Sequence, residues 1–289
     1  MAVKTELTGE DLKHFRENGY LVLPQAFNAE EVARMQHEAD RILELIINSS
    51  LANGRKSGRL DILQTSTGPM VRKIQPINDL SLFLAKVSAD ERLIGPMRQL
   101  MGDEPILMEE KLNYKEPLPK AIEGIPLVDS EDRFPVHNDW AYYLAQDYPQ
   151  EIISSAVTID PCDESSGPLH VWPGSHKQHL KHHRPPNKRG WEVLPDLIDF
   201  DGGIDLLAPP GSVMLFHSVL VHNSRPNISG RPRRLMIYSH YPRQSDIGHD
   251  VRNGPSRLRE SPYEWEYQRA KDRGEFEDVF QAPVFSRFL

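Results

Sequence analysis

Gly211-Ser-Val-Met-Leu-Phe-His-Ser-Val-Leu-Val-His222-Asn-Ser224 holds two short apolar runs, Ser212–Phe216 and Val219–Val221, separated by His217-Ser218. Runs this short, bounded by glycine and small polar residues, read as buried strands; a helix would need a longer periodic stretch. The same pattern recurs on both sides, at Ile106–Tyr114, Phe134–Val136, Ile152–Ile159, Leu169–Trp172, Ile204–Ala208 and Leu235–Tyr238, broken by Pro, Gly, Asn and Asp. About eight short strands after residue 105 fit a double-sheet jelly roll.

The chain upstream has a different period. Thr8 followed by Asp11 resembles a capping box, with Leu12 and Phe15 inward at helical spacing and Asn18-Gly19 as a stop. Tyr20–Leu23 reads as a short strand ending at Pro24. Asn28, with Glu31 three residues on, starts a second helix of about 20 residues. Its apolar positions Val32, Met35, Ile42, Leu43 and Ile46 recur at helical spacing. A third helical region is expected over 81–101, with Pro96 as a break or kink. From Asp250 the chain is charged and helix-leaning and is expected to wrap the surface. The expected fold is mainly β with flanking α-helices, a double-stranded β-helix (jelly roll, cupin-like). One domain is expected over 1–289: a helical part to about 103, the jelly-roll core over about 104–242, and a helical extension over about 243–289.

Twenty-four prolines favour strands and loops over a helical bundle, and the mean hydropathy of −0.53 suits a soluble protein. The net charge of −8 argues against nucleic acid or an anionic membrane as partner. A lone cysteine, Cys162, forms no internal disulfide and suggests a reducing compartment. The opening MAVKTELTGEDLKHF has no apolar signal region, and no run approaches the roughly 20 apolar residues of a spanning helix. These features fit a cytoplasmic protein acting on a small molecule.

His137-Asn138-Asp139 follows the strand-like Phe134-Pro135-Val136. Alternation along a strand would turn His137 and Asp139 to one side. A second histidine from a distant strand would complete two imidazoles and one carboxylate, the ligand set of non-heme Fe(II) oxygenases. Both His217 and His222 are available. Trp140, Tyr142 and Tyr143 are candidate walls of a pocket. Lys111, Lys115 and Arg225 are candidate positive charges for an acidic or phosphonate-like group. The stretch His176–Arg189, with His176, His179, His182 and His183, reads as a solvated loop and a candidate flap over the pocket. Arg257, Arg259 and Glu275–Asp278 read as exposed faces, Trp172 as core and Cys162 as a turn residue without a chemical role.

Taken in order, these features resemble the phytanoyl-CoA dioxygenase family, a branch of the Fe(II)/2-oxoglutarate-dependent oxygenases. The matching segments are Asn18–Pro24, His137 with Asp139, Gly167 and Leu169 with Pro173–His176, and the block from Phe216 to Arg233. The resemblance implies His137, Asp139 and His222 as iron ligands; the HxSxxN context selects His222 over His217. It implies Arg233, eleven residues after His222, as the grip on the distal carboxylate of 2-oxoglutarate, with Ser224 beside it. Strand alternation excludes Arg234 from that role and leaves Arg231, and the family spacing selects Arg233. Lys73 and Lys111 resemble lysines that contact the cosubstrate. Relatives often carry a tryptophan near position 156, where this chain has Ala156. The implied cofactors are Fe(II), 2-oxoglutarate and O2, with ascorbate as a supporting reductant, and the implied reaction is aliphatic C–H hydroxylation with release of succinate and CO2. Halogenases of this kind replace the carboxylate at position 139, so Asp139 argues against halogenation. Desaturation, epoxidation or ring formation at the same site is the alternative reading, and a cupin-like metal-binding protein without oxygenase activity is the alternative of another class.

Overall fold

The computed structural model describes residues 5–186, 190–245 and 261–284. Helix α1 (Gly9–Asn18) begins at a reciprocal cap in which the Asp11 N–H donates to the Thr8 hydroxyl and the Thr8 N–H to the Asp11 carboxylate. It ends at Gly19, which is left-handed at φ 81° and packed so closely on His176 that a Cβ there would lie 2.4 Å from the ring. The Gly174 N–H donates to the Asn18 carbonyl and the His217 N–H to the Gly19 carbonyl, both at 2.9 Å. Three motifs separated by some 200 residues therefore meet at one corner.

Strand β1 (Tyr20–Leu23) leads to helix α2 (Ala29–Ala52), capped by Asn28 and Glu31 as expected. Met35, Ile42, Leu43 and Ile46 are fully buried, each contributing roughly 1.5–3 kcal/mol by leaving water. The hairpin β2 (Leu60–Thr65) and β3 (Gly68–Ile74) was not expected. The third helical region is two helices, α3 (Leu82–Val87) and α4 (Glu91–Met101). The break falls at Asp90, whose carboxylate caps α4, and Pro96 lies inside α4 without ending it.

The remaining strands are β4 (Pro105–Pro117), β5 (Val128–Asp129), β6 (Phe134–His137), β7 (Ile153–Thr158), β8 (Leu169–Val171), β9 (His182–His183), β10 (Glu192–Val193), β11 (Ile204–Leu206), β12 (Val213–His217), β13 (His222–Ser224) and β14 (Leu235–Pro242). Among the described residues they form a large sheet, β1-β12-β7-β14-β4-β3-β2-β5, a small sheet, β11-β8-β13-β6, and the ribbon β9–β10. From β4 onward the chain passes back and forth between the two sheets, the winding of a double-stranded β-helix. Val219–Val221 is a buried turn, not a strand; the strand begins three residues later, at His222. The short helix α5 (Trp140–Tyr143) follows β6.

The large sheet is covered on both faces. Leu112, Val157, Leu215, Met236 and Tyr238 pack with α2, α3 and α4. Ala156, Met214, Phe216, Leu235 and Ile237 pack with Leu169, Val171 and Leu206 of the small sheet. All six residues of β7 are buried, and the hydroxyls of Ser154, Ser155 and Thr158 meet Ser239 and the carbonyls of Tyr238 and Pro209. Helix α6 (Ser261–Asp272) and the segment after it lie on α2: the Ser57 hydroxyl donates to Glu264 at 2.9 Å, and Asn48 accepts the N–H groups of Val279 and Phe280. Glu275 and Glu277 are exposed, while Arg257 and Arg259 lie outside the described residues. Among the described residues no helix is long and apolar enough to cross a membrane.

Candidate active site

His137 ends β6 and His222 begins β13, and the two are register partners with ring centroids 4.4 Å apart. Their Nδ1 atoms face carbonyl oxygens, Pro135 at 2.7 Å and Leu220 at 2.9 Å. A carbonyl only accepts, so each Nδ1 carries the hydrogen and each Nε2 keeps its lone pair for a metal. Burial, helped by the neighbouring His137, pushes the His222 pKa down to about 4 and keeps the ring neutral.

Asp139 joins them for a reason other than the one expected. The strand stops at His137, and Asp139 has helical backbone angles (φ −64°, ψ −32°) at the start of α5. A turn, not strand alternation, brings its carboxylate round. Asn138 shapes that turn by accepting the Ala141 N–H at 3.1 Å. Asp139 Oδ1 then lies 3.7 Å from His137 Nε2 and 3.8 Å from His222 Nε2. Burial opposes the charge on Asp139, but His137, His222 and Lys111 outweigh it and hold the carboxyl well below its usual range. Among the described residues these three form a group whose ligand atoms all lie within 4.8 Å of one another. His217 is elsewhere: its Nδ1 accepts the Val219 N–H at 3.1 Å and its ring packs near His176.

A pocket between the sheets adjoins this group. His137, Asp139, His222 and Ser224 line it from the small-sheet side, and Lys73, Lys111, Asn113, Ala156, Phe216, Arg233 and Ile237 from the large-sheet side. The three arginines in sequence have three fates. Arg231 binds Asp163 near the surface at 3.0 Å. Arg234 is fixed by Asp160 and Asp40. Arg233 is 1% exposed and lines the pocket, and among the described residues its Nε has no hydrogen-bond partner. The Ser224 hydroxyl in the same pocket is likewise buried and unpartnered. Arg231 lies before β14 begins, so the alternation that grouped it with Arg233 does not apply there.

Lys111 lines the pocket, but the other two candidate positive charges do not. Lys115 is fully buried and donates to the carbonyls of Asp132 and Arg225. Arg225 pairs with Asp205. Nor do Trp140, Tyr142 and Tyr143 form the walls. Tyr143 is buried and donates to Glu109 at 2.5 Å, Trp140 reaches the Tyr148 carbonyl, and Tyr142 stands edge-on to His137. The aromatic walls are Phe134 and Phe216, which the sequence reading did not single out. Asn113 was also missed, although its position two residues after Lys111 on a strand puts it on the same face. Asn227 organises the loop leading to Arg233: its amide donates to the Lys115 carbonyl at 2.9 Å and its Oδ1 accepts from Ser229.

The histidine-rich stretch is a surface loop as expected, with Lys177, Gln178, Lys181 and Arg184 exposed and its histidines half-buried. His179 and His182 stack at 5.2 Å. The Asn138 N–H donates to His182 Nε2 and the Asn138 amide to His179 Nδ1. The loop thus rests on the turn that carries Asp139; residues 187–189 lie outside the described residues. Cys162 is buried beside Ala208, and burial pushes its thiol up to about 11, consistent with an unreactive residue.

The family model for phytanoyl-CoA dioxygenase (PhyH) matches residues 15–235. An ectoine dioxygenase of Sphingopyxis alaskensis is 30% identical over 246 residues, covering 78% of this chain and 73% of its own. An ectoine dioxygenase of Halomonas elongata is 26% identical, covering 78% of this chain and 68% of its own. In fold, the chain is similar to the crystal structure of EctD from S. alaskensis with 2-oxoglutarate and 5-hydroxyectoine, with a TM-score of 0.63 and 24% identity over 83% of this chain and 77% of that one.

Proposed function

We propose a role for each residue of the pocket from one premise: the chain belongs to the phytanoyl-CoA dioxygenase family and is an Fe(II)- and 2-oxoglutarate-dependent dioxygenase. His137, Asp139 and His222 hold the iron. Their fit rests on two neutral imidazoles with Nε2 lone pairs free and one carboxylate held charged. Arg233 and Ser224 hold the distal carboxylate of 2-oxoglutarate. A buried guanidinium with an unmet donor is costly unless a ligand completes it, and a carboxylate offers the geometry that a guanidinium matches bidentately. Fe(II), 2-oxoglutarate and O2 together supply an oxidant strong enough for an aliphatic C–H bond, with succinate and CO2 as co-products.

The chain's own contribution is placement and exclusion. The Pro135 and Leu220 carbonyls fix both imidazole tautomers. Lys111 helps keep Asp139 ionised. Ala156, Leu169, Phe216, Leu235 and Ile237 give the pocket an apolar wall that limits water. The reaction is hydroxylation of a small molecule; retention of Asp139 leaves no place for a halide. The observation that carries this reading is the buried Arg233, its Nε without a partner among the described residues, in the same pocket as the three converging ligands. A cupin-like protein that does not use 2-oxoglutarate would have no need to bury that charge unmet.

The test is succinate formation from 2-oxoglutarate with Fe(II), O2 and ascorbate. Wild type is expected to turn over, Asp139→Ala to lose turnover, and Arg233→Met to need much higher 2-oxoglutarate. Full activity in both variants would overturn the assignment.

A further inference from the structure

We infer that His182 and His179 are positioning residues for the iron: acting through Asn138, they hold the turn that carries Asp139. The inference rests on the reading above and gives the histidine-rich stretch a part in it. The three ligands are not supported alike. Each imidazole is steered by a carbonyl at its Nδ1, Pro135 for His137 and Leu220 for His222. Among the described residues no hydrogen bond reaches the Asp139 carboxylate from outside the group of three; its contacts within the group are the Nε2 atoms at 3.7 and 3.8 Å. The backbone of the turn therefore sets where this carboxylate stands. That turn leaves β6 at His137, and Asp139 already has helical angles.

Asn138, between two of the ligands, is fully buried and is held by three hydrogen bonds. Its Oδ1 accepts the Ala141 N–H at 3.1 Å, which fixes the amide's orientation and points the NH2 at His179 Nδ1, also at 3.1 Å. Its backbone N–H donates to His182 Nε2 at 3.2 Å. His182 is prepared to accept it. The His182 Nδ1 lies 2.7 Å from the Leu180 carbonyl, so the ring hydrogen sits on Nδ1 and the lone pair on Nε2. The two rings stack at 5.2 Å and 12°, and His179 stands edge-on to Trp140, the residue after Asp139, at 4.7 Å.

The support is itself anchored. His182 lies in β9, paired with β10, and Val193 of β10 is fully buried with Val136 of β6, Trp172 and Val221. The Leu194 N–H closes the ribbon on the Lys181 carbonyl at 3.0 Å. The ribbon is thus fixed to the sheet that carries His137 and His222, and Asn138 passes that fixed position on to Asp139. None of the described residues of the stretch lines the pocket between the sheets, so its histidines act on the third ligand and not on what binds beside it. Without His182 a buried N–H next to that ligand is left unmet, which the turn can relieve only by moving.

The experiment uses full-length protein stripped of metal. Affinity for Fe(II) without O2 is read from the rise in melting temperature across an Fe(II) series, beside the metal-free melting temperature. Half-saturation for 2-oxoglutarate at saturating Fe(II) is read from the visible absorption of its iron chelate. His182→Phe keeps a ring and removes the acceptor. It should weaken Fe(II) by about 10–100-fold, as loss of a group behind a metal ligand does, and leave 2-oxoglutarate half-saturation unchanged. His182→Gln, whose Oε1 reaches the position of Nε2, should restore most of the lost affinity. His179→Leu should weaken Fe(II) in the same direction, and His179→Asn, whose Oδ1 stands where Nδ1 did, should restore it. His182→Leu replaces His182→Phe if the latter does not melt cooperatively. The proposal fails if His182→Phe and His179→Leu bind Fe(II) as wild type does, or if His182→Gln is as weak as His182→Phe. It fails too if Fe(II) and 2-oxoglutarate weaken together, which marks a pocket loosened at large. A lower metal-free melting temperature with Fe(II) affinity kept shows a role in folding alone and also overturns it. Asp139→Ala is measured alongside: Fe(II) affinity lost there and kept in His182→Phe defeats this inference only. Wild type that binds no Fe(II), or Asp139→Ala that binds it fully, defeats the preceding reading and this one with it.

Discussion

The two faces of the large sheet treat buried charge in opposite ways, and adjacent residues show it. On the helix face, Arg234 Nε and Nη2 meet the Asp160 carboxylate at 2.7 and 2.9 Å, and Nη1 meets Asp40 of α2. On the pocket face, Arg233 is equally buried and its Nε meets nothing among the described residues. The buried Ser224 hydroxyl of the same pocket is also without a partner among the described residues. The helix face completes its polar groups internally and holds the molecule together. The pocket face leaves two of them incomplete among the described residues, as the roles proposed for Arg233 and Ser224 require. Glu116 on the helix face departs from this: among the described residues its two carboxylate oxygens are buried without hydrogen-bond partners.

Substitutions on the two faces should therefore separate activity from stability. Asp139→Ala should have the largest effect. Loss of a group behind a metal ligand already costs about 10–100-fold, so loss of the ligand should cost more, read as succinate formation, with the apo-protein melting point little changed. Arg234→Met should do the reverse. It leaves Asp160 buried without its partner and should destabilise by about 3–5 kcal/mol, measured by denaturant unfolding. A stable Arg234→Met protein would break the contrast.

Glu116→Gln tests the exception. Burial pushes Glu116 from 4.5 up to about 8. Its folded pKa lies above its unfolded one, so wild type loses stability as pH rises from 4.5 through 8, while the glutamine variant has no such loss. The variant should gain about 3 kcal/mol on wild type between pH 5 and pH 8, from about 1.4 kcal/mol per pKa unit. A constant difference across that range would show that Glu116 ionises freely. Arg233→Met should have the smallest effect on folding, neutral or slightly stabilising, because it removes a buried unmet charge. Its effect should appear as a 2-oxoglutarate KM raised by about 10–100-fold, the worth of hydrogen bonds to a charged group.

Much of this site was legible in the chain because it is written in local spacing. His137, Asp139, His222 and Arg233 sit at motif intervals, and the helix caps at Thr8 and Asn28 obey short-range rules. The physical reason given for Asp139 was nevertheless wrong, since a turn capped by Asn138 replaces the assumed strand alternation. The hairpin β2–β3 was missed because Leu60–Thr65 and Gly68–Ile74 mix charge with apolar residues, without a clean period. The destination of Lys115 was illegible for a deeper reason. It caps carbonyls at Asp132 and Arg225, the latter 110 residues away, and nothing in its neighbourhood records such a partner. Aromatic residues near the motif also misled: proximity in sequence put Trp140, Tyr142 and Tyr143 at the pocket, whereas Phe134 and Phe216 form its walls.

His137, Asp139 and His222 belong to the small sheet or the turn leaving it, whereas Lys73, Lys111, Ala156 and Ile237 stand on the large sheet. The three candidate metal ligands and the wall that faces them are thereby mounted on separate supports. A lineage of such proteins can fill the space beside Ala156 and reshape the pocket while the turn that gathers the ligands is inherited untouched.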